Sequence, residues 1–114
     1  MDHVILRRLA LSLRERVDAP GGAHVYLVGE TFTGPDGREL INNYIAEYEL
    51  DGQFDFPLYW QIRGALRDDG SFRPVAAEST AGVSTYGAVL DTMAPFFGNH
   101  DVARRSTELA GCSD

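Results

Sequence analysis

Two acidic residues lie where α/β enzymes place their reacting groups, at the ends of predicted strands. Glu30 follows the apolar run 25–28 after a single glycine, and Asp101 follows the run 92–97 after a short turn. Because the carboxyl ends of parallel strands meet on one side of a sheet, both carboxylates are expected in one pocket. Two carboxylates facing each other across a sugar are what glycoside hydrolysis requires, since one must donate a proton to the leaving oxygen. Burial and a neighbouring negative charge favour the protonated form of such a carboxyl.

Each of these two signals is weak when taken alone. A Gly-Glu pair after a strand is more often an ordinary loop or a helix-capping contact than a catalytic group. Asparagine, histidine and aspartate, the types found at 99–101, are all common in turns. Their joint placement at two strand ends is what favours a shared pocket.

The elements that must position these residues alternate along the chain. Residues 2–17 read as an amphipathic helix with Asp2 as its N-cap and an apolar stripe on one face. Pro95 lies inside the third predicted strand and weakens that prediction, because proline donates no ladder hydrogen bond. Helices are predicted at 2–17, 38–47, 57–66, 74–86 and 102–110, and strands at 25–28, 50–56 and 92–97. The apolar stripe of the first helix consists of Ile5, Leu9, Leu13 and Val17, flanked by Leu6 and Ala10. The alternation is typical of an α/β fold with parallel strands.

Composition narrows the classes of function. The chain has 114 residues, enough for one domain, and a net charge of −7. All ten basic residues are arginine and none are clustered, so no nucleic-acid partner is expected. No apolar run is long enough to span a bilayer, so no membrane partner is expected either. His3 and His24 lack zinc-like spacing, and Cys112 is the one cysteine, which predicts a free thiol.

Three segments resemble successive strands of the catalytic barrel in the α-amylase family of glycoside hydrolases. They are Val-Tyr-Leu-Val-Gly-Glu at 25–30, Leu-Asp-Gly-Gln-Phe-Asp-Phe-Pro-Leu at 50–58 and Met-Ala-Pro-Phe-Phe-Gly-Asn-His-Asp-Val-Ala-Arg at 93–104. A strand that ends in Asn-His-Asp with an arginine three residues later is the most specific part. The resemblance, to the fifth, sixth and seventh strands, implies that residues 1–114 are an α/β fragment of a glycosidase catalytic (β/α)8 TIM barrel, with about three parallel strands and flanking helices.

The same resemblance implies roles for five residues. Glu30 would be the acid/base that protonates the glycosidic oxygen and later activates water. Asp101 would bind sugar hydroxyls and favour an oxocarbenium-like transition state, and His100 would hydrogen-bond neighbouring hydroxyls. Asn99 and Arg104 also match positions of the family motif. They would belong to the substrate-binding group and support its structure.

One departure from the family pattern concerns the nucleophile. The family's nucleophilic aspartate closes the fourth strand in an Arg-x-Asp motif, which would lie just before Met1. The chain is therefore expected to be an inactive fragment of a retaining enzyme that acts on α-glucans or malto-oligosaccharides. No cofactor is expected in it; calcium is common in relatives, so a full-length parent could carry it, with ligands largely outside this segment. Many relatives are secreted or periplasmic, but no signal peptide is recognisable here, and open sheet edges predict self-association.

Two alternatives stay open at this point. An amylase-like domain can serve as a non-catalytic binding or structural partner, although keeping Glu30, His100 and Asp101 argues against that. An independent small α/β binding domain would instead be a monomer that unfolds cooperatively. Within the resembled family, the residues do not distinguish a hydrolase from a transglycosylase or an isomerase.

Overall fold

Helices make up most of the regular structure in this chain. The computed structural model describes residues 2–18, 23–67 and 70–104. The elements in chain order are α1 (His3–Arg16), β1 (Val28–Gly29), α2 (Arg38–Asn42), β2 (Gly52–Gln53), α3 (Phe56–Arg67), α4 (Arg73–Tyr86) and a 3₁₀ helix (Gly87–Thr92). No helix in these three ranges is both long and apolar enough to cross a membrane.

The sheet is small and its pairings are parallel. β1 pairs with β2, Val28 opposite Gly52 and Gly29 opposite Gln53. A single parallel bridge between Phe54 and Ala94 brings the third segment alongside β2. These three segments therefore run in the same direction, in the order 28–29, 52–54, 94.

The predicted partial TIM barrel with about three parallel strands is wrong. In the ranges described, strand pairing consists of two strands of two residues each and isolated bridges, which make no barrel. The apolar run 25–28 becomes a strand only at its end, because carboxylates take up its earlier backbone donors. The Val25 N–H donates to Asp18 Oδ1 at 2.9 Å and the Leu27 N–H donates to Asp51 Oδ2 at 2.7 Å.

The third predicted strand is reduced to one residue for a different reason. Ala94 donates its N–H to Gln53 O at 2.9 Å and accepts from Asp55 N at 3.1 Å. Pro95, the next residue, has no N–H to continue the ladder. The final predicted helix, 102–110, is not helical over residues 102–104, and its remainder lies outside the described ranges.

Helix α1 forms as predicted, but its buried residues lie on the flank of the predicted stripe and not at its centre. Asp2 caps it by accepting from Val4 N at 2.8 Å and Ile5 N at 3.4 Å. The buried residues are Leu6 and Ala10, whereas Ile5 and Leu9 of the predicted stripe are exposed. Ion pairs of the helix with Glu49 and Asp51 set this rotation.

Helix α4 packs against both α3 and α2, and the three helices share one core. The predictions 57–66 and 74–86 are confirmed to within one residue at each end. Asp55 accepts from Leu58 N at 3.1 Å at the start of α3, and Pro74 occupies the first turn of α4, where a missing N–H costs no helical bond. The buried cluster consists of Ile41, Phe56, Tyr59, Tyr86 and Met93.

Candidate functional site

Glu30 leaves the sheet at the carboxyl end of β1, as the sequence predicts. Gly29 before it is fixed in the ladder, since its carbonyl accepts from Phe54 N at 3.2 Å. The Glu30 side chain itself is exposed. The burial expected around a proton-donating carboxyl is therefore not provided by the described part of the chain.

Asn99 brings the third segment to Glu30. Its Nδ2 donates to Glu30 Oε1 at 3.3 Å, a contact between residues 69 positions apart. The Asn99 Oδ1 in turn accepts from Asp101 N at 2.9 Å, which ties the turn together. Asn99, rather than Asp101, is thus the residue for which the structure records direct contact with the glutamate.

His100 and Asp101 form a second, more exposed pair beside this contact. His100 Nε2 lies 3.4 Å from Asp101 Oδ2, and the His100 side chain is 85% exposed. A cleft of about 440 Å³ is lined by residues of this segment, Phe97, Gly98, Asn99, His100, Ala103 and Arg104. The structure therefore groups Asn99, His100 and Arg104 along one cleft, with Glu30 in contact with its Asn99 wall.

An exposed aromatic ring stands two residues after Glu30. Phe32 is 58% exposed, yet its ring is fixed by Phe56, with centroids 4.7 Å apart, and by the edge of Trp60 at 6.4 Å. Trp60 is itself anchored, since its Nε1–H donates to Thr33 O at 2.7 Å. A fixed, exposed aromatic face can stack on the apolar face of a sugar ring.

Arg14 joins helix α1 to the sheet in an ionic cluster that the sequence did not reveal. Its Nη2 contacts both oxygens of Asp51 at 3.0 and 2.8 Å, and its Nη1 contacts Asp18. His24 lies between the same two carboxylates, 3.0 Å from Asp18 and 3.1 Å from Asp51. Burial alone would raise the pKa of Asp51, but the Leu27 N–H, His24 and Arg14 outweigh it and hold that pKa below its ordinary value.

A second cluster lies against the core. Arg38 forms two hydrogen bonds with Glu78: its Nε lies 2.9 Å from Oε1 and its Nη2 lies 2.5 Å from Oε2. Burial raises the pKa of the nearby Asp55 carboxyl, and it also raises the pKa of the Tyr86 hydroxyl. The buried hydroxyls of Tyr86 and Thr33 have no hydrogen-bond partner in the described ranges. The Arg38–Glu78 pair joins α2 to α4, and none of these groups lines the cleft formed by residues 97–104.

Metal ligation finds no support in residues 2–18, 23–67 and 70–104. These ranges contain no group of three or more His, Cys, Asp or Glu side chains placed to hold a metal ion. Cys112, Asp68 and Asp69 lie outside them.

No protein-family model, curated protein or solved structure matches this chain. A functional assignment therefore depends on the three segments that resemble the α-amylase family and on the contacts around Glu30.

Proposed function

We propose that this chain supplies the acid/base carboxyl, Glu30, of a retaining glycoside hydrolase that acts on α-glucans. The observation that carries the proposal is the hydrogen bond from Asn99 to Glu30. It supports the expectation that the ends of parallel segments converge, and it joins segment 25–30 to segment 93–104, the most specific part of the resemblance. The pattern of groups at this edge is what a sugar would meet: a carboxyl, an amide, an imidazole and an exposed aromatic ring.

In the proposed reaction Glu30 protonates the glycosidic oxygen and later removes a proton from the attacking water. Asp101 and His100 hydrogen-bond the hydroxyls of the sugar undergoing substitution. Phe32 provides a stacking face for a neighbouring glucose unit. Because Glu30 is exposed in this chain, its desolvation must come from the bound glucan or from further protein.

A retaining enzyme also needs a carboxylate nucleophile to form the glycosyl-enzyme intermediate. The resemblance assigns that role to none of residues 1–114, so the proposal gives this chain the acid/base and the sugar-binding groups but not the nucleophile.

A non-catalytic α-glucan-binding role is the second candidate. Two observations favour it, namely the exposure of Glu30 and the exposed ring of Phe32. It predicts saturable binding of malto-oligosaccharides without turnover, even when a nucleophile-bearing strand is supplied.

The experiment that separates the two is a hydrolysis assay on maltoheptaose, with a strand that ends in Arg-x-Asp joined before residue 1. We expect turnover, and we expect Glu30→Gln to reduce it about 10²- to 10⁴-fold, the usual contribution of a general acid. Glu47→Gln is the matched control, because Glu47 is an exposed carboxyl away from the cleft. Full activity in Glu30→Gln would refute the assignment of the acid.

A further inference from the structure

Gln53 is a fully buried polar side chain in the centre of the sheet, with 0% exposure. Its Nε2 donates to Ile41 O at 2.5 Å, and its Oε1 accepts from Thr31 Oγ1 at 2.6 Å. The orientation of the amide follows from chemistry, since the Ile41 carbonyl can only accept and must face the NH₂ group. The Thr31 hydroxyl consequently serves as the donor to Oε1.

Thr31 directly follows Glu30, so this hydrogen bond restrains the backbone on the far side of the glutamate. On the near side, the Gly29 carbonyl is held by Phe54 N at 3.2 Å. Hydrogen bonds thus restrain the chain on both sides of Glu30: a sheet hydrogen bond at Gly29 before it and the Thr31–Gln53 side-chain hydrogen bond after it. Between these two restraints its carboxyl receives the Asn99 amide at 3.3 Å.

We infer that Gln53 is a positioning residue for Glu30, acting through the Thr31 hydroxyl to hold the carboxyl against Asn99. Gln53 itself is buried and touches no glucan. An apolar residue of similar size would fill the same space but would leave the Thr31 hydroxyl without its Gln53 partner. The Ile41 carbonyl would keep the Tyr44 N–H, at 3.2 Å. A buried amide that is hydrogen-bonded at both its oxygen and its nitrogen fixes one arrangement of the segments it joins.

This inference rests on the proposed function in one respect only, which is that Glu30 is held in place for catalysis. The restraint itself is a property of Thr31, Gln53 and Asn99, and it can be measured on the chain without any sugar.

The test uses NMR spectra of the 114-residue chain and its variants. Thr31→Val replaces the hydroxyl by a methyl group, and Thr31→Ser keeps the hydroxyl but removes the methyl group. We expect Thr31→Val and Gln53→Leu to shift the side-chain amide resonances of Asn99 and to abolish the nuclear Overhauser effect between that amide and the Glu30 methylenes. Thr31→Ser should retain both, which distinguishes loss of the hydroxyl from a change next to Glu30.

Thr80→Val is the matched control for simple destabilisation. The Thr80 hydroxyl also donates to a carbonyl, Ala76 O at 2.9 Å, but it lies in α4. Its removal should leave the Asn99 and Glu30 signals unchanged. Should Thr31→Val behave like Thr80→Val at Asn99, the positioning role of Gln53 is refuted, and this holds even if Gln53→Leu proves too unstable to examine.

Binding of maltoheptaose to the same samples tests the proposed function separately. We expect Thr31→Val to weaken it about tenfold, with Thr31→Ser close to the wild type. A wild-type chain that shows no binding would contradict the glycosidase proposal, whereas the Asn99 signals would still decide the role of Gln53.

Discussion

At the scale of single residues, Asp55 combines a capping role with an unfavourable buried charge. It accepts the Leu58 N–H at the start of α3, which stabilises the helix. Burial raises the pKa of its carboxyl, and the negative charge of Glu78 raises that pKa further. The Leu58 N–H and the positive charge of Arg38 act in the opposite direction but do not cancel the effect of burial. The folded state therefore holds the Asp55 proton to a higher pH than the unfolded chain, and this residue lowers stability as pH rises from about 4 through its folded pKa.

Asp55→Asn should remove that decline while keeping the cap, because asparagine caps as well as aspartate. We expect the difference in melting temperature, variant minus wild type, to be larger at pH 7 than at pH 4. Thermal unfolding at both values measures this, with Asp36→Asn in an exposed turn as the control. An equal difference at the two pH values would contradict the assigned effect of burial.

At the scale of elements, the rotation of helix α1 is the clearest correction to the sequence pattern. Leu6 is 7% exposed and Leu9 is 46% exposed, although periodicity alone favours Leu9 as the core residue. We expect Leu6→Ala to lower the free energy of unfolding by about 2 to 4 kcal/mol, as for other buried leucines. Leu9→Ala should change it by less than about 1 kcal/mol.

Urea denaturation of the two variants side by side measures this difference. Both substitutions replace the same side chain by the best helix former, so helix propensity cancels between them. A larger loss at Leu9 than at Leu6 would mean that α1 docks through the predicted stripe.

Local signals predicted α1, α3 and α4 well because the relevant interactions lie within each helix, whereas the predicted helix 38–47 ends at Asn42. The Asp2 cap and the prolines near the starts of α3 and α4 can be read directly from neighbouring residues. Strand lengths could not be predicted in this way. They depend on partners distant in sequence, such as the Asp18 and Asp51 carboxylates that take up the backbone donors of 25 and 27.

The candidate site was partly predictable for the same reason. Parallel strand ends predicted that the carboxylates of Glu30 and Asp101 share one pocket, whereas the structure brings Asn99 of the same turn into contact with Glu30. Gln53 was missed as a functional residue, because nothing in its neighbours marks a buried amide. It stands between Gly52 and Phe54, where the sequence pattern indicates only a strand.

At the scale of the whole molecule, the core is small and much apolar surface is exposed. One cluster of five buried residues holds three helices together, while rings and aliphatic groups such as Phe32, Phe97 and Val28 face outward. Self-association through the sheet edge stays a prediction. Phe32 is the exposed ring, and Phe97 lines the cleft, to which an α-glucan is proposed to bind.

Titration of the isotope-labelled chain with maltoheptaose tests the central proposal most directly. The account predicts saturable shifts that cluster at Glu30, Phe32, Asn99 and His100, that are absent with cellohexaose, and that weaken in Asp101→Asn. A chain that gives no saturable shifts, or that responds equally to the β-linked glucan, would contradict the assignment of an α-glucan site at this end of the sheet.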